Sequence, residues 1–189
     1  MLKDLIYLAS FYLNLDDVSD YLTNIEDDSN IEAPTDLSVL INLANLSIRR
    51  IVKDYKPLYR EEFKKSDENC FIAFSDLSKE VCAIKNVTTL DRLPVTFRIL
   101  ENNIKVGVPS GDYLVKYSYY PSELTDLNDS LILPDGVNKE AVCFSMCCDY
   151  LTIKRLYDDA DVFETKFKES LVRGLRANKE IKVASRGWF

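Results

Sequence analysis

The spacing of hydrophobic and polar residues changes twice along the chain and divides it into helical, β and helical parts. Apolar residues recur every three or four positions over 1–24 and 35–55, which is the spacing of amphipathic helices. Over 58–120 apolar and polar residues mostly alternate, which is typical of strands with one buried face. Helical spacing then returns, in a first helix over about 139–158 and a second that starts near Ala160.

The last two predicted helices are expected to pack on each other. The first is apolar on most sides in its first half, so we predict that it lies at the buried centre of a helical bundle. The second begins close to Asp158 and Asp159, whose charges favour a helix N-terminus. It carries an apolar stripe of residues four positions apart: Phe163, Phe167, Leu171 and Leu175.

The middle of the chain is predicted to form a small, mainly antiparallel sheet inserted between helices. The strand candidates cover residues 59–64, 70–74, 80–87, 95–100, 103–108 and 113–120. The last candidate places Tyr113, Val115, Tyr117 and Tyr119 on one side. The expected fold class is therefore α+β: a helical bundle with an inserted small antiparallel β-domain and an extended C-terminal tail.

This pattern divides the chain into four segments. Residues 1–57 contribute the N-terminal helices of the bundle, and 58–121 form the β-rich insertion. Residues 122–179 form a connector and the C-terminal helical hairpin, and 180–189 form a basic, aromatic tail. The tail is too short to build a core, yet it holds Trp188, the only Trp of the chain. We therefore expect a partner to cover its aromatic residues.

The charge of the chain is unevenly distributed. The net charge is −7, which argues against general affinity for nucleic acid. From Asp4 to Ile48 there are nine acids and no Lys or Arg, whereas Lys166 to Phe189 holds seven basic residues and two acids. Two interpretations stay open: ordinary solvated faces, or chain ends that attract different partners or attract each other in neighbouring copies.

Cysteine usage and the start of the chain indicate a reduced, intracellular setting. The chain has five Cys, and no signal peptide is evident. The apolar-rich run from Leu5 to Leu15 is too short to span a membrane and lacks a cleavage site. We expect no membrane partner.

Catalytic motifs are missing from the sequence. Without His there is no His general base and no usual zinc ligand set. The five Gly are scattered, so no phosphate-binding loop is present. Cys143, Cys147 and Cys148 lie on one predicted helix, and a metal site would need Cys70 or Cys82 to join them, so a packing role is favoured. We expect no enzyme, no cofactor and no bound metal.

Several stretches of the chain stand in a familiar order. They are IAFSDLSK at 72–79, YLVKYSYYP at 113–121, CDYL at 148–151, FETKFK at 163–168 and ASRGWF at 184–189. In this order, after a helix-rich start, they resemble the head–tail adaptor (connector) proteins of tailed bacteriophages. The resemblance covers nearly the full length from about Leu37 onward, and its motifs are structural rather than catalytic. That family often ends in Arg-Arg-Trp-Leu or similar, whereas this chain ends Arg186-Gly187-Trp188-Phe189; the acidic N-terminal region departs most.

The resemblance implies a structural protein of the virion, assembled in the host cytoplasm and placed at the head–tail junction. Such a protein forms a ring of twelve copies under the portal protein, matching the portal's symmetry. It contacts downstream tail or neck proteins and extends a channel through which DNA passes without specific binding. C-terminal segments in this family commonly grip the portal ring. The residues that this implies for docking to the portal or to a neighbouring copy are Lys179, Ile181, Lys182, Val183, Arg186, Trp188 and Phe189.

The acidic start of the chain gives a hypothesis about the channel. Carboxylates that face the lumen would repel the DNA backbone and let it slide. The candidates are Asp16, Asp17, Asp20, Glu26, Asp27 and Asp28. The alternative is that these acids are simply the solvated side of short helices.

Two other functions compete with the adaptor. Within the same class, the chain could be another ring component, such as a neck or tail-completion protein. From a different class, it could be an intracellular binding module that presents its Tyr-rich sheet to a protein. Tyr113, Tyr117, Tyr119 and Tyr120 suit an interface, although Tyr on one sheet face is more often half-buried core.

Overall fold

The computed structural model describes residues 1–24 and 32–177, with side chains up to residue 174 in the last helix. The described residues contain five α-helices and two three-stranded antiparallel sheets, so the mixed α+β class is confirmed. They fall into two compact units. A helical unit combines Met1–Ser47 with the chain from Leu124 onward, and a β unit covers Ile48–Glu123.

Helices in the described ranges mostly begin and end where the sequence predicts. They are α1 (Leu2–Leu13), α2 (Asp16–Asn24), α3 (Thr35–Arg50), α4 (Lys139–Ile153) and α5 (Tyr157–Ala177). A π-helical turn, Ile51–Tyr55, continues α3 into the β unit. Within the helical unit, α1 packs on α2 and α4, and α4 packs on α5.

The core of the helical unit lies around α4. Its buried side chains face several directions, and they include Val142, Cys143 and Met146. From α1, Leu5 is fully buried, and from α5, Phe167 and Leu171 are buried. The apolar stripe predicted for α5 is confirmed at these two positions, while Phe163 is half-buried. The side chain of Leu175 lies outside the described residues.

The junction between α4 and α5 corrects the predicted boundaries. The helix predicted to reach Asp158 ends at Ile153, and the next begins at Tyr157 rather than near Ala160. Arg155 has a φ of 63°. Its N–H donates to the carbonyl oxygen of Thr152 (3.1 Å), and the N–H of Leu156 donates to that of Leu151 (2.9 Å). This pair of hydrogen bonds is a Schellman motif, which stops α4 without the Gly that usually marks one.

Arg155→Gly is expected to stabilise the protein by about 0.5–1 kcal/mol, because Gly adopts the left-handed conformation without the steric cost that a Cβ brings. Urea denaturation measures the gain. Asn14→Gly is the matched control: Asn14 ends α1 at a φ of 53° with the same hydrogen-bond pattern. Since Asn tolerates this conformation, its gain is expected to be smaller. An equal or larger gain at position 14 would contradict this account.

Asn138 begins α4 and also links it to α5. Its side-chain oxygen accepts hydrogen bonds from the N–H of Ala141 (2.9 Å) and from the hydroxyl of Ser170 (3.1 Å). We expect Asn138→Ala to lower the free energy of unfolding by about 1–2 kcal/mol, the usual cost of losing an N-cap. Asn138→Asp keeps the acceptor and is expected to stay within about 0.5 kcal/mol of the wild type. Equal losses in the two variants, measured by urea denaturation, would show that the cap contributes nothing.

The β unit contains two sheets where the sequence predicted one. Its strands are β1 (Leu58–Lys65), β2 (Phe71–Ala73), β3 (Val81–Thr89), β4 (Arg98–Leu100), β5 (Asn103–Lys105) and β6 (Asp112–Tyr119). One sheet has the order β1-β6-β3 and the other β2-β5-β4. The 3₁₀ turn Phe74–Asp76 ends β2 after three residues. The short strands β2 and β4 both pair with β5, and within the described residues none of the three pairs with a long strand.

The two sheets share one hydrophobic core. From β6, Tyr113, Val115 and Tyr117 point into it, where they meet Ile72 of β2 and Ile104 of β5. The predicted alternation of β6 is confirmed at these three positions. Tyr119 is half-buried against the same cluster. The Tyr-rich face is therefore mostly the core of the β unit and not an open surface.

Candidate interaction surfaces

Within the described ranges, no group of three or more His, Cys, Asp or Glu side chains could hold a metal ion. Cys143 and Cys147 are both buried on α4. The hydrogen bond with Cys143 and the burial of the thiol raise the pKa of Cys147, so it stays protonated. A protonated, buried thiol is a poor nucleophile and a poor metal ligand. These two side chains act as packing groups in the core of the helical unit.

Glu62 on β1 is the most heavily hydrogen-bonded carboxylate of the β unit. It accepts hydrogen bonds from the hydroxyl of Tyr117 (2.6 Å) and from the N–H of Ser78 (3.2 Å) and its hydroxyl. It also pairs with Arg60 (2.8 Å) and Lys64 (3.2 Å). Burial opposes its ionisation, but these donors outweigh that cost and lower its pKa to about 2. These partners all come from the β unit, and the group joins β1 to β6 and to the turn before β3.

Arg49 and Tyr120 form a second polar cluster of the β unit. The Arg49 guanidinium donates to Glu80 (3.0 Å) and lies 4.3 Å from the centroid of the Tyr120 ring. The hydrogen bond with Cys82, together with burial, raises the pKa of Tyr120 to about 12. Tyr120 is thus a neutral hydrogen-bonded side chain at pH 7. One face of its ring is already covered by Arg49.

The acids predicted to face a channel are only partly described. Asp16, Asp17 and Asp20 are exposed on α2, whereas Val18 and Leu22 of the same helix are buried. Exposure of all three is expected both of channel-facing acids and of the solvated side of a short helix. The other three candidates, Glu26, Asp27 and Asp28, lie outside the described residues. So do all the predicted docking residues: Lys179, Ile181, Lys182, Val183, Arg186, Trp188 and Phe189.

Exposed apolar side chains mark surfaces that the sequence did not identify. On α1, Tyr7 and Phe11 point to solvent one helical turn apart. In the β unit, Phe63, Leu90 and Leu93 are exposed. A third group lies where α4 meets α5, and we call it the corner patch: Ile153, Leu156, Tyr157 and Val162. Groups of exposed apolar residues are typical of surfaces that bind partners.

Beside Phe11, an aromatic cluster joins three helices. Tyr12 of α1, Phe144 of α4 and Phe163 of α5 have ring centroids 5.5–6.2 Å apart. The ammonium group of Lys166 lies 4.8 Å from the centroid of Phe163 and near the other two rings. Its position over the three rings is a cation–π arrangement. The cluster is satisfied internally, so it fixes the helices and does not offer an empty cage.

A scan against protein-family models and a search of curated proteins found no match to this chain. Among the helices that the structure describes, none has the length and apolar character needed to cross a membrane.

Proposed function

We propose that this protein is the head–tail adaptor of a tailed bacteriophage. It forms a ring under the portal, joins the DNA-filled head to the tail and extends the DNA channel. In this role it has no active site. Its functional parts are the surfaces that bind neighbouring copies, the portal and downstream tail or neck proteins.

The observation that supports this proposal most is the order of the two units along the chain. The β unit, Ile48–Glu123, lies between two parts of the helical unit. The adaptor family implied by the sequence has the same plan, a helical bundle that bears a β insertion. The packing of α1 and α5 on α4 is the arrangement expected of such a bundle.

The exposed apolar residues also support an assembly role. Each copy in a ring contacts two neighbours through two different surfaces, because a ring is built from heterologous contacts. Such contacts cover apolar side chains that a lone copy would expose to water. Phe11, Phe63 and the corner patch come from separate elements, which suits a protein with several partners.

In this proposal the C-terminal segment is the docking element, toward the portal or a neighbouring copy. It combines Trp188 and Phe189 as aromatic anchors with the basic residues Lys179, Lys182 and Arg186. A short segment that binds weakly alone becomes tight when all copies of a ring engage together. The alternating Ile181 and Val183 suit an added strand.

The acidic face of α2 is proposed to line the channel. The triple variant Asp16→Lys, Asp17→Lys, Asp20→Lys is expected to increase the retention of double-stranded DNA by the assembled ring several-fold at low salt. The reason is that DNA phosphates would contact cations where the wild type presents carboxylates. A filter-binding or gel-shift assay measures the retention. If the triple variant retains no more DNA than the wild type, the channel role of α2 is excluded.

The adaptor function is tested in the virus that carries this chain. Without it, we expect DNA-filled heads and free tails that do not join. Native mass measurements and electron microscopy of the purified chain mixed with its portal are expected to show a closed ring bound to the portal, with twelve copies if the ring matches it. Normal head–tail joints without the chain would contradict the proposal. A ring found lower in the neck would favour the tail-completion alternative.

The competing function from another class is an intracellular binding module that binds a protein through a Tyr-rich sheet face. Two of its four side chains, Tyr113 and Tyr117, are buried in the core of the β unit. A third, Tyr120, has Arg49 over its ring. The surface that this alternative requires is therefore largely occupied, and we do not adopt it.

A further inference from the structure

The corner patch is the exposed apolar surface of the helical unit with the most members close together in sequence. Its four side chains are between 50% and 61% exposed. A cavity of about 240 Å³ opens beside them, lined by Arg155, Leu156, Tyr157, Asp158 and Asp159. A cavity of this volume accommodates a large side chain.

The backbone of the corner holds these apolar residues outward. The Schellman motif at Arg155 ends α4, and the N–H of Ala160 donates to the carbonyl oxygen of Leu156 (3.0 Å) in the first turn of α5. Two helices are thereby joined through only three residues, 154–156. Because the junction is short and hydrogen-bonded, the patch is not a loop that can fold its side chains back into the core.

Charge distinguishes the corner patch from the other exposed apolar groups. Asp158, Asp159 and Asp161 are all exposed beside it. Among the described residues, none of these three carboxylates lies within 4.0 Å of a cationic group. Two cations are close in sequence: Lys154 is paired with Asp36 (3.3 Å), and Arg155 lines the cavity itself. With three carboxylates against the cation Arg155, the surface is apolar with an excess of negative charge, and it fits a ligand that is apolar and basic.

We propose that the corner patch receives the C-terminal segment, residues 178–189, of a neighbouring copy. This segment carries three basic residues and one acid, and it ends in the pair Trp188-Phe189. The aromatic side chains pack on Tyr157 and Val162, and the basic residues lie against the three carboxylates. The inference rests on the proposed ring, and it names the surface that each copy offers to the next.

The contact joins two different surfaces, the segment of one copy and the corner of another. Such a contact repeats from copy to copy and closes into a ring when the rotation allows. The chain's own segment is the alternative occupant. It leaves α5 at Ala177, and the corner lies at the other end of this 21-residue helix, about 30 Å away. Docking on its own corner would require the segment to run back nearly extended along the helix.

Tryptophan fluorescence tests the site directly, because the chain has a single Trp. The full chain with Trp188→Ala and Phe189→Ala contains no Trp, so all Trp emission comes from an added peptide of residues 178–189. We expect the Trp emission maximum of the peptide to move to shorter wavelength on binding, with half-saturation below ~1 mM. Adding Tyr157→Ser and Val162→Ser to the protein is expected to weaken binding at least tenfold, and added salt is expected to weaken it as well. Leu46→Ser, at an exposed apolar residue of α3 in the same helical unit, is the control and should leave binding unchanged.

A mixing experiment separates a neighbour's segment from the chain's own. One full chain carries Tyr157→Ser and Val162→Ser in the corner patch, and the other carries Trp188→Ala and Phe189→Ala in the segment. Each is expected to be a monomer when its native mass is measured alone. Mixed together, they are expected to form a one-to-one dimer that does not grow, since only one intact contact remains. Peptide binding without such a dimer would assign the corner patch to the chain's own segment and overturn the proposal. Equal peptide binding by the protein with Tyr157→Ser and Val162→Ser would also overturn it. Loss of portal binding with this dimer intact would instead contradict the adaptor function alone.

Discussion

Gly174→Ala is expected to lower the free energy of unfolding by at least about 3 kcal/mol. A Cβ at position 174, in α5, would overlap the backbone carbonyl oxygen of Gly136, in the loop before α4. The backbone of α5 fixes the position of the Cβ, and the carbonyl oxygen belongs to the main chain, so no change of rotamer relieves the overlap and α5 must move away from the loop. Gly136 has a φ of 82°, so its turn is itself restricted to glycine. Urea denaturation followed by circular dichroism measures the loss.

Gly107→Ala is the matched control for this prediction. No heavy atom lies within 4 Å of a Cβ added at Gly107. Its substitution is therefore expected to change the free energy of unfolding by less than about 0.5 kcal/mol. Similar losses at the two positions would mean that the close approach of α5 to the loop contributes no more than a generic glycine effect.

The helices show which sequence patterns are reliable. The stripe on α5 buries Phe167 and Leu171, because a 3.6-residue repeat fixes one face wherever the helix lies. The junction after α4 could not be predicted in the same way. Its stop depends on Arg155 in a left-handed conformation, and the sequence has no Gly or Pro there. The apolar residues Ile153 and Leu156 therefore look like a continuing helix.

In the β unit, the sequence predicts faces but not partners. Alternation along 113–120 correctly places Tyr113, Val115 and Tyr117 in the core, since the pleat alone decides which side they face. Pairing is decided by contacts between distant segments: β1 pairs with β6, although more than 40 residues separate them. That is why one sheet was predicted and two are present.

Some of the candidate surfaces can be predicted from the sequence, and others require the tertiary structure. The basic, aromatic tail and the acidic start are visible in composition, because they need no knowledge of the fold. The corner patch depends on where two helices stop and on which side chains remain uncovered, so it requires the tertiary structure. The same is true of Glu62, whose partners Ser78 and Tyr117 follow it by 16 and 55 residues.

Glu62→Gln is the second substitution with a large expected effect, a loss of about 3 kcal/mol of unfolding free energy at pH 7. The side chain of Glu62 is only 12% exposed, and its charge is stabilised above all by the hydrogen bonds from Ser78 and from the buried Tyr117. An amide cannot form the ion pairs with Arg60 and Lys64, and its N–H₂ group cannot accept the hydrogen bonds that a carboxylate oxygen accepts at the same position. Urea denaturation at pH 7 measures the loss.

The same carboxylate makes stability depend on pH. Its pKa is lowered from 4.5 to about 2, so the folded protein favours the ionised form more than the unfolded chain does. This contribution is fully present above about pH 4.5 and is lost as the pH falls through 2, with a total of about 3 kcal/mol. Glu62→Gln lacks this titration. The difference in stability between wild type and variant is therefore expected to shrink steadily from pH 4.5 to pH 2.

Glu61→Gln provides the control on the adjacent residue of β1. Glu61 is exposed, and it pairs with Lys116 (3.0 Å) at the surface. An exposed pair contributes less than about 1 kcal/mol. The free energy of unfolding of this variant is therefore expected to be close to that of the wild type at pH 7, and to fall with decreasing pH in the same way. If the two variants lose stability equally, or if the stability difference at position 62 does not change below pH 4.5, then Glu62 does not hold β1, β6 and the turn together through its charge.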